Sequence, residues 1–135
     1  MSQIGNASVA AANRLIRNPH LAAGDAWDQS IALTTLSVST ADKVCAREAF
    51  IGLAEFGLIH GFPARPKPST GWNGLYAIIG AHLLGVGNVS VAQRAMQAPT
   101  AEDLWRQVIT PLGKGNISHN DQMTIVLALW IVGLI

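Results

Sequence analysis

Cys45, Glu48, Gly52 and Glu55 stand three, four and three residues apart. On a helix this spacing sets a thiol, two carboxylates and a missing side chain along one side. A small thiol-dependent enzyme would use Cys45 with Glu48 or Glu55 and an amide from Asn120 or Gln122. A thiol-protease arrangement would join Cys45 to one of His60, His82 or His119 and to Asn120, because a histidine makes the thiolate and an amide orients the ring. Neither reading is strong. Reactive cysteines need surroundings that favour the thiolate; the two carboxylates oppose it, and Lys43 and Arg47 offset them only in part. No catalytic-thiol signature surrounds Cys45, and a lone buried cysteine packs as a small hydrophobe. Gly52 inside a helix costs roughly 1 kcal/mol relative to alanine. Either a ligand or partner backbone enters a shallow groove there, or another helix packs over it, which is the commoner cause. No catalytic residue is assigned; Cys45, Glu48 and Glu55 are the candidates if a reaction exists.

Metal and cofactor chemistry find less support. The histidines lack the i, i+4 spacing of zinc-protease ligands, and there is no second cysteine for a structural zinc site. Leu112-Gly113-Lys114-Gly115-Asn116 lacks the spacing that wraps phosphates in backbone N–H groups, so no cofactor is expected.

Binding features are more numerous. Phe62-Pro63-Ala64-Arg65-Pro66-Lys67-Pro68-Ser69-Thr70 favours an extended polyproline path that exposes Arg65 and Lys67. It serves as a docking feature or as a stiff crossover between helices. Trp72 follows directly, as a partner anchor or, more in keeping with its size, a core plug. Trp27, Trp105 and Trp130 lie on apolar stripes and read as core. Asn120 and Gln122 precede a wholly apolar segment and must find partners if buried, so they are expected to knit it to the Cys45 helix or to Asn73.

These residues are positioned by a chain that is helical nearly throughout. One helix should end near Asn18-Pro19, where proline disfavours helix in the preceding residue, and a second should run from Ala22 or Asp25 through Leu33. Thr34–Ser39 alternates and is β-branched, which leaves a short strand open beside a loop. Ser39-Thr40-Ala41-Asp42 opens a helix whose stripe is Ala46, Ala49, Phe50, Leu53 and Phe56, stopped by Gly57. Trp72–Val86 is a helix with Leu75, Ile78, Ile79 and Leu83 in register, and Ser90–Gln97 a short one. Another starts at Thr100 with acids in its first turn. The last begins at Ser118, with Ser118 and Asp121 as caps, and is apolar all round, which marks a core element. The expectation is an all-α, single compact domain over residues 1–135, of about six helices packed around the apolar C-terminal helix.

Composition bounds the function. With 135 residues the chain is one domain at ~150 residues per domain. Half its residues are hydrophobic and 13% charged, and its mean hydropathy is +0.31, which argues against disorder. Nine Lys/Arg against eight Asp/Glu leave a net charge of +1 and no field for nucleic acid. A helix-turn-helix reading around Leu58-Ile59 would make Trp72–Val86 the recognition helix, yet that segment holds no Lys or Arg. One cysteine excludes an internal disulfide. The 13 apolar-rich residues Met123–Ile135 fall short of the ~20 of a membrane span. The expected location is cytoplasmic.

Cys45-x-x-x-Ala49-Phe50-x-Gly52-Leu53-x-x-x-Gly57-Leu58-Ile59-x-Gly61-Phe62-Pro63 resembles the central motif of an uncharacterised family of small bacterial helical proteins. Ala26-Trp27, Asn73 with Tyr76-Ala77, Leu104-Trp105-x-x-Val108 and Asn120-x-Gln122-Met123-x-x-Val126-x-x-Leu129-Trp130 follow in similar order. In the family's pattern proline follows the cysteine and a second cysteine follows Gly-Leu; here Ala46 and Ala54 stand instead, which weakens a paired-thiol function. The resemblance implies one helical domain and no established activity. The leading expectation is a non-catalytic protein that binds another protein, including as an inhibitor carried by a phage or mobile element. Self-association is a form of the same expectation, since an apolar small chain can bury a patch in a dimer.

Overall fold

The computed structural model describes residues 1–34, 40–69, 71–115 and 117–135, with side chains of the second stretch from Lys43 onward. Among the described residues seven α-helices follow in order: α1 (Gln3–Arg17), α2 (Ala23–Ile31), α3 (Thr40–Glu55), α4 (Trp72–Val86), α5 (Val91–Gln97), α6 (Ala101–Ile109) and α7 (Gln122–Ile131). A 3-10 turn, Thr110–Leu112, extends α6. No strand occurs among the described residues. The choice between strand and loop falls on residues 35–39, which lie outside them, as does the expected Ser39 cap.

Local chemistry sets most boundaries. The Ser2 hydroxyl accepts from the Gly5 N–H at 3.0 Å and starts α1. Thr100 does the same for α6 through the Asp103 N–H at 3.1 Å, with Glu102 and Asp103 facing the positive end of the helix dipole. After α3 the chain turns through Gly57 at φ +78°, and the Leu58 N–H closes on the Leu53 carbonyl at 3.0 Å. A β-carbon would strain that conformation.

The last helix starts later than its sequence suggests, at Gln122 rather than Ser118. Asp121 sits in the left-handed region at φ 67° and makes no side-chain cap. His119 caps instead: its Nε2 accepts the Met123 N–H at 2.9 Å.

α7 buries eight of its ten residues and touches α1, α3, α4, α5 and α6. Phe50, Leu15, Leu53 and Leu104 around it, and Met123 and Leu129 within it, are fully buried, each contributing about 1.5–3 kcal/mol by leaving water. Trp27, Trp105 and Trp130 are buried as expected. Phe56, Leu75, Leu83 and above all Trp72 are not: Trp72 is 57% exposed and plugs no core. α4 instead buries Gly74, Tyr76, Ala77, Gly80 and Leu84, and the missing side chains at Gly74 and Gly80 let it approach its neighbours closely. Among the described residues no single helix is long and apolar enough to cross a membrane.

Candidate functional site

α3 and α4 cross where two glycines meet. A β-carbon on Gly52 would fall 2.5 Å from the Gly74 Cα, and one on Gly74 would fall 3.2 Å from the Gly52 Cα. Backbone fills the space beside Gly52, so this residue lines no groove; it is needed for helix packing.

One turn above the crossing a chain of polar groups ties three segments together. Asn73 Nδ2 donates to Glu48 Oε2 at 2.7 Å, and Gln122 Nε2 donates to Asn73 Oδ1 at 2.9 Å. The Asn120 N–H donates to Gln122 Oε1 at 2.7 Å, while Asn120 Nδ2 approaches Cys45 Sγ at 3.9 Å. Gln122 is only 2% exposed, and both ends of its amide are used. An amide buried this deeply would otherwise carry a large desolvation cost. The chain therefore fixes the roll of α4 against α3 and α7.

The same contacts bring Cys45, Glu48, Asn120 and Gln122 into one connected set and leave Glu55 outside it. Glu48 is engaged by Asn73, and Glu55 Oε1 accepts the Ser69 N–H at 2.6 Å, at the other end of α3. Cys45 is half-buried and faces an amide. With Nε2 of His119 accepting from Met123, the ring's proton resides on Nδ1. His60 and His82 line a separate depression of about 210 Å³ with Arg94 and Trp130. No group of three or more His, Cys, Asp or Glu able to hold a metal occurs among the described residues.

The proline segment is likewise employed within the fold. The Arg65 N–H donates to the Glu55 carbonyl at 2.8 Å. Its guanidinium donates to the Pro19 and Leu21 carbonyls at 3.0 Å each and lies 4.5 Å over the Phe62 ring. Arg65 is thus a clasp between the loop and the α1–α2 turn, and not a free docking cation; Lys67 alone is left exposed. The α3–α4 connection, residues 56–71, is far longer than the 3–4-residue turn of a helix-turn-helix.

Trp72 emerges at the end of the polar chain. Its ring stacks on Tyr76 at 5.9 Å, Tyr76 meets Trp105 edge-on at 5.1 Å, and Trp105 lies 5.4 Å from His119. Lys114 Nζ sits 3.9 Å from the Trp72 ring centroid, over the indole. From Trp72 an apolar stripe runs down the outside of α4 through Leu75, Ile79, Leu83 and Val86. Leu75 and Leu83 are each 38% exposed, Val86 is 85% exposed, and Ile79 is half-buried. Reading the sequence for a site missed all but Trp72 of this stripe, because every position of α4 is apolar or neutral. The glycines at 74 and 80 were the available signal: they mark the side that packs, which Tyr76 and Leu84 share.

A second apolar depression, about 440 Å³, opens between α1, α5, α6 and α7. Its hydroxyls already have partners, Ser2 with Gly5 and Thr124 with Asp121, so little remains to orient a ligand. Residues 1–135 match the model of a family of unknown function (DUF6979), in line with the resemblance to an uncharacterised family. No curated protein and no solved structure matches the chain.

Proposed function

The chain belongs to this family of unknown function, and we propose that it is a small non-catalytic binding protein acting by protein–protein contact through the outer face of α4. One observation carries this reading. A helix without a single Asp, Glu, Lys or Arg packs one side inward and presents Trp72, Leu75, Leu83 and Val86 to solvent on the other. Contiguous exposed apolar side chains on a small domain mark an interaction surface, and tryptophan is enriched where interface energy concentrates. Lys114 over the indole adds a cation at the rim. The polar chain through Glu48, Asn73 and Gln122 then has a supporting role, holding α4 in the roll that keeps Trp72 outside. α7 acts as the post on which the contact helix is mounted, a reading supported by its burial against five other helices.

Site-specific photo-crosslinking in the native cell tests this. A photoreactive residue at position 75 or 83 should capture protein, with yield lost in the Trp72→Ala background. The same residue at position 67 or 102 should capture little. Equal capture from all four positions, or none from α4, overturns the reading.

A further inference from the structure

We infer that the occupant of the α4 face is a second copy of this chain, its α4 lying antiparallel across a two-fold axis at Ile79. This rests on the proposal that the α4 face is a protein contact and adds who the partner is. The spacing is the first argument. Trp72, Leu75, Ile79, Leu83 and Val86 are separated by three, four, four and three residues, a sequence of steps that reads the same in both directions. A two-fold interface must be self-complementary. Reversal about Ile79 sets Trp72 against the partner subunit's Val86 and Leu75 against the partner subunit's Leu83. The largest side chain thereby meets the most exposed small one at each end of the seam.

Charge is the second argument. α4 contains no Asp, Glu, Lys or Arg, so two copies meet along the axis with no fixed charge to repel. Lys114 lies at the Trp72 end of the stripe, where Glu48 is already engaged by Asn73. The antiparallel arrangement separates the two lysines by the length of the stripe, about 21 Å at 1.5 Å per residue, well beyond the ~8 Å screening length at physiological salt. A parallel arrangement would bring both together. Antiparallel α4 dipoles also oppose, which favours the same orientation.

Area is the third. An indole offers up to ~250 Å², and Trp72 is 57% exposed. With Leu75, Leu83 and Val86 the stripe presents on the order of 300 Å² of apolar side chain per copy. A standard interface takes ~800 Å² per partner. The pairing is therefore at the weak end: a reversible dimer, formed at high micromolar concentration and dissociated on dilution.

Sedimentation velocity across a concentration series, with Val86→Glu and Leu83→Glu beside the parent chain, tests the inference. Both positions are exposed enough to accept the change, and far-UV circular dichroism checks that each variant is folded. The parent should pass from monomer to dimer, and either glutamate should weaken pairing at least tenfold. In a Cys45→Ala background, Ile79→Cys should then oxidise to a disulfide dimer, and Trp72→Cys alone should not. A chain monomeric at every concentration overturns self-pairing, and photo-crosslinks from positions 75 and 83 to a different protein would leave the interaction reading standing. A dimer insensitive to Val86→Glu, or cross-linked through position 72 to itself, also overturns it.

Discussion

α4 and α7 both lack Asp, Glu, Lys and Arg and are mostly apolar, yet the fold treats them differently. α7 is closed in by five helices and buries eight of ten residues; α4 buries five of fifteen. Hydrophobicity alone thus fails to say which helix is interior. The difference lies in where the small residues fall. Gly74, Ala77 and Gly80 bring one side of α4 close to α3 and α7, where Tyr76 and Leu84 are also buried, and Trp72, Leu75, Leu83 and Val86 are left facing out. α7 has no such one-sided distribution and can be packed from every direction.

The contrast is most exposed to failure at the two helices' leucines. Leu129→Ala in α7, where the side chain is fully buried, should cost about 2–5 kcal/mol. Leu83→Ala on α4 should cost well under half as much in the monomer, read as urea unfolding midpoints on dilute protein. Comparable losses would mean that the outer α4 face is covered.

Next is the glycine crossing. Gly52→Ala meets backbone and should destabilise by about 1–3 kcal/mol despite alanine's better helix propensity. Gly80→Ala meets the Met123 thioether, a flexible neighbour that can move aside, and should be much milder. Thermal or chemical unfolding of the pair would sharpen the claim that the inward face of α4 is set by backbone contact. Gln122→Ala should cost about 1–3 kcal/mol by stranding the Asn73 carbonyl and the Asn120 N–H. It should also loosen the start of α4, read as faster hydrogen exchange after Trp72.

The smallest effect belongs to the periphery. The Arg47–Asp28 pair, 3.0 Å, is solvent-screened, and Arg47→Ala should cost no more than ~1 kcal/mol, less at high salt. The hydrogen bond from Arg47 to Asp28, opposed by some desolvation, holds the guanidinium pKa above its ordinary value. A cation whose pKa rises on folding stabilises below its unfolded pKa and ceases to do so above the folded one. That window lies far into alkali, so raising pH through neutrality should not release this pair's contribution.

Much of the architecture was legible in the residues. The bounds of α4 follow from apolar spacing between the proline segment and Gly87, and the expected tie among Asn73, Asn120 and Gln122 is present because buried amides have few alternatives to each other. What was hidden depends on distant contacts. Ser118-His119-Asn120-Asp121 has the composition of a helix cap, but the chain's path puts Asp121 in a left-handed turn and gives the capping task to an imidazole. Arg65 looks free in a proline-rich stretch because the carbonyls it clasps are 44 and 46 residues away. Trp72 looks like core by size, and only the glycines on the other side of its helix reveal that it is not.

Hydroxyl-radical footprinting at two protein concentrations tests most directly whether the α4 face is open and made to be covered. In dilute solution Trp72 should be oxidised readily while Met123 and Trp130 of α7 are protected. In concentrated solution Trp72, Leu83 and Val86 should lose their labelling together, with α7 unchanged. Protection of Trp72 already in dilute protein, or undiminished labelling of the stripe at high concentration, would contradict the account.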